Sequence, residues 1–117
     1  MFSKLKKVLL HSGYQVILTG NISKHEPKAM ACGIKGYILP DSLKIFVNKS
    51  FGVNDRVITL IHELLHDIYA DKSEYQVDRL SKKIFNSLNV SQLGFLQFFV
   101  MSPAEIQSML ESNQLAY

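Results

Sequence analysis

Apolar and polar positions change rhythm once along this chain, near Asn54. Before that point the apolar residues come in short runs. Leu5, Val8 and Leu9 follow helical spacing behind Ser3, a residue able to cap a helix, and Gly13 is placed to stop it. Residues 14–19 (YQVILT) are rich in β-branched and aromatic types and predict a strand. A polar stretch bounded by Gly20 and Gly33 follows, long enough to border a site. Residues 34–39 and 43–48 predict two more strands. Pro40-Asp41-Ser42 between them suits a type I turn, so the pair predicts a β-hairpin. After Asn54 the period is helical throughout. Asn54 is expected to cap a helix to about residue 70, Ser73 one to about residue 88, and Ser91 and Ser102 two more. Pro103 falls on the first position of the last, where its missing N–H costs nothing. Strands thus precede and stand apart from most helices, which predicts an α+β domain over 1–117: an N-terminal helix, a three-stranded, mainly antiparallel sheet, then helices.

Composition narrows this picture. The 117 residues fit one domain, and 47% hydrophobic with 20% charged residues is a globular balance, not a disordered one. Lysines ahead of Val8-Leu9-Leu10 resemble the opening of a signal peptide, but His11, Ser12 and Gly13 end the apolar run far too early. No stretch is long enough to span a membrane, so no membrane partner is expected and the cytoplasm is the default address. The single cysteine, Cys32, has no partner for an internal disulfide, which fits a reducing compartment. The net charge is +3, with cations grouped at Lys4, Lys6 and Lys7 and again at Lys82 and Lys83. These groups lack interleaved aromatics and any reader motif, so they read as solvated helix faces and nucleic acid is not expected as a partner.

The stretch T-L-I-H-E-L-L-H, ending at His66, carries the chemistry. Its i, i+4 spacing stacks His62 and His66 on one helix face, close enough for both imidazoles to hold one ion. Glu63 lies about 100° round the helix, near such an ion without having to bind it, as a general base for zinc-bound water requires. Val57, Ile58, Leu60, Ile61, Leu64, Leu65 and Ile68 wrap most of the remaining circumference, which predicts a buried helix. Thr59, His62, Glu63 and His66 then form one polar stripe that must find partners or a metal.

A catalytic zinc site needs a third protein ligand. Ser73 with Gln76 spells a capping box, so the next helix begins at Glu74 and returns antiparallel to the first. Glu74 and Asp78 share a face there, and geometry alone leaves both open as the ligand. The segment Glu74-Tyr75-Gln76-Val77-Asp78-Arg79-Leu80-Ser81, together with HELLH and the preceding strand with its lone Asn48, resembles the ImmA/IrrE family of zinc metallopeptidases and its small phage and mobile-element relatives. The resemblance covers about residues 34–88. It implies a zincin-like fold in which Zn2+ is held by His62, His66 and Glu74. It places Asp78 at the family's Asn/Asp position, suited to an outer hydrogen bond to a ligand histidine. It also implies a peptide or protein substrate, such as a regulatory protein, lying extended along a sheet edge, for which strand 43–48 is the candidate.

The expected function is therefore hydrolysis of a peptide bond, with Glu63 as general base. The alternative is a protein-binding module whose metal is structural and whose aromatic C-terminal helices dock a partner. The spacing of seven residues between His66 and Glu74 is short for the family, and no L-M-P-like ending follows. Elsewhere, His25 beside Glu26 is expected to be an idle loop histidine and His11 to interact with the last carbonyls of its helix. Tyr75 suits packing or a tetrahedral intermediate equally. Phe95, Phe98, Phe99 and Met101 suit a helix-packing face.

Overall fold

The first helix, α1 (Phe2–His11), buries Leu5 and Leu9, one turn apart on the face that the spacing selects. The computed structural model describes residues 1–20 and 34–115, with side chains through Glu111. Met1, not Ser3, occupies the N-cap and makes no side-chain cap bond. Gly13 adopts φ 78°, a conformation open to glycine at little cost, and turns the chain into the sheet.

Three strands follow: β1 (Gln15–Thr19), β2 (Gly36–Leu39) and β3 (Lys44–Asn48). Their order is β1-β3-β2. β3 pairs antiparallel with β2, from Gly36↔Val47 to Leu39↔Lys44, and parallel with β1, from Gln15↔Lys44 to Thr19↔Asn48. The sheet is mixed, which corrects the expectation of a mainly antiparallel one. The β2–β3 pairing matches the predicted hairpin, but its connection is a 3-10 turn at Pro40–Ser42 followed by Leu43 in the left-handed region, φ 53°. β3 is the central strand. Its Ile45, Phe46 and Val47 are all buried, a continuous apolar run of the kind that a strand covered on both faces carries. Alternation tells which face a side chain takes but not which strand lies beside which.

The second helix, α2 (Val53–Ile68), packs on α1, β2, β3 and the helices that follow. Val57, Leu60, Ile61, Leu64 and Leu65 are fully buried on it, so the helix is as enclosed as its all-round apolar pattern predicts. Each such side chain contributes about 1.5–3 kcal/mol by leaving water. Gly52, rather than Asn54, is the N-cap. α3 (Glu74–Ser87) opens on the predicted capping box: the Ser73 hydroxyl accepts from the Gln76 N–H at 3.2 Å and the Ser73 N–H donates to Gln76 Oε1 at 3.0 Å. α4 (Val90–Val100) is capped by Asn89 with Gln92 in the same reciprocal way, in place of Ser91. α5 (Pro103–Leu115) starts behind Ser102, which exchanges bonds with Glu105.

Buried Arg56 ties the far end together. Its guanidinium donates to the carbonyls of Lys49, Phe51 and Val100 and to Glu105 Oε1 at 2.7 Å. Burying a cation this deeply is tolerable only with such full pairing. The buried apolar residues form one cluster, drawn from α1 through α4 and β3. Among the described residues, no helix is long and apolar enough to cross a membrane.

Candidate metal centre

The α2–α3 hairpin builds the site. Helical spacing stacks the His62 and His66 rings edge to face, centroids 4.8 Å apart. The connection after α2 is short, with the Tyr69 N–H closing the helix onto Leu65 and the Lys72 N–H bonded to Tyr69. The Ser73 cap then fixes Glu74 as the first residue of α3. Its carboxylate reaches back over both histidines: Glu74 Oε1 lies 2.6 Å from His66 Nε2, and Oε2 lies 3.1 Å from His62 Nε2. One donor atom from each residue falls within 4.8 Å of the others. The two histidines are largely enclosed, whereas the Glu74 side chain is 75% exposed, so Glu74 closes the group from the solvent side.

Two imidazoles and a carboxylate are a donor set suited to a divalent ion such as zinc, with room for a further ligand on the open side. In the chain as described, Glu74 itself binds the histidines through hydrogen bonds or ion pairing, which such an ion would replace.

Glu63 lies on the same stretch of α2 in a different setting. It is 9% exposed, and its carboxyl is pushed up to about 7, mainly by burial and then by the nearby charge of Glu74. A cation held by the three donors would act the other way and favour the carboxylate. Glu63 and Glu74 thus have one chemistry and two environments. Glu63, Glu74 and His62 line a cleft of about 400 Å3 between α2, α3 and β2.

Gly36 is what lets β2 come so close. A methyl group there would collide with the Thr59 methyl and press on the Phe46 carbonyl at 3.0 Å, with Glu63 Cγ at 3.5 Å. Thr59 cannot easily swing aside, because its hydroxyl donates to the Asp55 carbonyl at 2.9 Å and the residue is buried. Asn48 holds the start of the strand segment: its Nδ2 donates to the Ile34 carbonyl at 3.0 Å, and its own N–H donates to the Lys35 carbonyl.

Of the residues singled out from sequence, the structure brings His62, His66 and Glu74 together beside Glu63. Asp78 stands one turn further along α3. It lines the same cleft, and its carboxylate accepts from Lys82 at 3.1 Å rather than from a histidine. Tyr75 points away and is 68% exposed, with Arg79 over its ring. His11 ends α1 at the surface. His25, Glu26 and Cys32 lie outside the described residues.

Strand 43–48 is not an edge. As β3 it is paired on both sides, and the edge beside the cleft is β2. Sequence reasoning missed Gly36, Lys35 and Tyr37 as cleft residues, and no local signal on that strand marks them. Thr59 was already in the polar stripe read from sequence, and Asp55 could have been added to it, because it sits two turns before His62 on the same helix.

Comparison with known protein families, curated proteins and solved structures gave no match.

Proposed function

We propose that this protein is a metal-dependent peptidase of the zincin kind, with His62, His66 and Glu74 as ligands and Glu63 as general base. The observation that carries the reading is the convergence of three ligating side chains next to a buried, proton-poised carboxyl in one open cleft. A divalent ion such as zinc would supply Lewis acidity there, which polarises a carbonyl and acidifies water. The chain's own residues do the rest. Glu63, buried beside Gly36 and Thr59, takes the proton of the attacking water and delivers it to the leaving amine. A cation held beside it would favour the carboxylate form that accepts this proton. The exposed side of the Glu74 carboxylate leaves the reacting position open to substrate.

β2 is the strand on which an extended peptide would pair, because it borders the cleft and lies at one edge of the described sheet.

Metal content and peptide cleavage measured together test the reading. The purified protein should hold about one divalent ion per chain and cleave peptides from a mixed library. Glu63→Gln should keep the ion and lose at least about a hundredfold in rate, since the amide preserves shape but accepts no proton. Loss of the ion in Glu63→Gln would make Glu63 a ligand and refute the assignment of roles. Absence of stoichiometric metal in the parent protein would refute the centre itself.

A further inference from the structure

α3 has a second working face, turned away from the metal cleft. Tyr75, Arg79 and Lys83 recur at helical spacing on α3 and, with Lys72 just ahead of the helix, line a groove of about 610 Å3 together with uncharged residues only. The one ion pair on α3 outside the metal cluster, between Lys82 and Asp78, lies on the cleft side. Lys72, Arg79 and Lys83 have no acidic partner among the described residues.

Folding also adds to this face from the other end of the chain. Lys4 Nζ lies 5.8 Å and Lys72 Nζ 5.1 Å from the centre of the same Tyr69 ring, so Lys4 adjoins the Lys72 end of the groove. Tyr75 is 68% exposed and carries the Arg79 guanidinium 5.6 Å from its ring centre, which steadies the ring and leaves its rim and remaining surface to solvent. Lys4 from the N-terminal cluster and Lys83 from the later one thus join Lys72 and Arg79 on a basic surface beside Tyr69 and Tyr75.

We infer that this groove binds single-stranded nucleic acid, with phosphates on Lys72, Arg79, Lys83 and Lys4 and a base stacked on Tyr75. A line of unpaired cations suits a phosphate backbone, and an exposed ring among them offers a surface on which a base can stack. An acidic peptide would satisfy the charges but not the ring. A membrane surface would want apolar side chains to insert, and the groove offers only the half-buried Leu80. The inference does not depend on the metal centre.

Fluorescence anisotropy with labelled oligothymidylate and oligouridylate tests it. Binding should weaken with salt at a log–log slope of about −2 to −3, as three or four phosphate contacts on a single strand require. The triple variant K72E/R79E/K83E should lose at least about a hundredfold in affinity. Tyr75→Ala should lose about five- to a hundredfold, with Tyr75→Phe close to the parent. Lys44→Glu, on the sheet, should change affinity less than about twofold. Circular dichroism checks that each variant is folded, which exposed positions favour.

The inference is overturned by absence of binding at low salt or by full affinity in the triple variant. It is equally overturned if Tyr75→Ala leaves affinity unchanged, or if polyglutamate or phosphatidylglycerol vesicles bind more tightly than the oligonucleotides.

Discussion

Glu63 and Glu74 are the same residue type on facing helices, and their surroundings divide the work between them. Glu63 is packed under Gly36 and Thr59, which penalises its charge. Glu74 stands in solvent at a helix N-terminus, where a carboxylate is stabilised, and is free to serve as a ligand. Asp78 offers the comparison. It shares the face of Glu74 but has a shorter side chain and an ion pair with Lys82. Glu74→Ala should therefore abolish tight metal binding, whereas Asp78→Ala should cost at most the 10–100-fold typical of groups that support a site from outside. Metal titration of the two variants separates them, and the reverse order would move the third ligand to Asp78.

Between elements, the contact that sets the cleft is β2 against α2. It depends on one missing side chain. Gly36→Ala should force β2 and Thr59 apart and cost about 1–3 kcal/mol in unfolding free energy, a typical overpacking loss. The double variant Gly36→Ala with Thr59→Ser removes the colliding methyl and should recover much of it. Denaturant unfolding of both variants checks this, and an unchanged midpoint in Gly36→Ala would show that β2 shifts freely. The α2–α3 hairpin is different in origin. Its geometry follows from local rules: a capping box at Ser73 and a short connection, which together start α3 at Glu74 beside the histidines. That is why the hairpin was readable in the sequence and the β2 contact was not.

At the scale of the molecule, α5 is fastened to the core through Arg56 and Glu105. The hydrogen bond from Arg56 is the chief reason that the Glu105 carboxyl is held down to about 2, with the Ser102 N–H adding to it. A carboxyl lowered in the fold stabilises it wherever the unfolded chain has already ionised. This contribution is complete above the ordinary glutamate range and is lost as pH falls from about 5 toward 2. Glu105 is partly exposed, so solvent screening keeps the effect modest. Glu105→Gln should lower Tm by about 2–5 °C at neutral pH, and its Tm should converge with that of the parent near pH 2. Thermal scans across that range test it. A constant difference at every pH would mean that the bond acts through shape and not through charge.

What the sequence determined by itself is whatever depends on neighbours along the chain. Helical period enclosed α2 and stacked His62 on His66. Ser73 and Gln76 fixed the start of α3. Runs of β-branched and aromatic residues marked three strands within a residue or two of their places. The caps that were misplaced, Asn89 for Ser91 and Gly52 for Asn54, show the limit of local rules, because several residues nearby could serve equally well. Strand order was beyond reach: side-chain alternation repeats every two residues whichever strand lies alongside, and only the folded chain shows β3 in the middle. The burial of Glu63 and the meeting of Lys4 with Lys72 at Tyr69 were likewise decided by tertiary structure, since each depends on segments distant in sequence and adjacent only when folded.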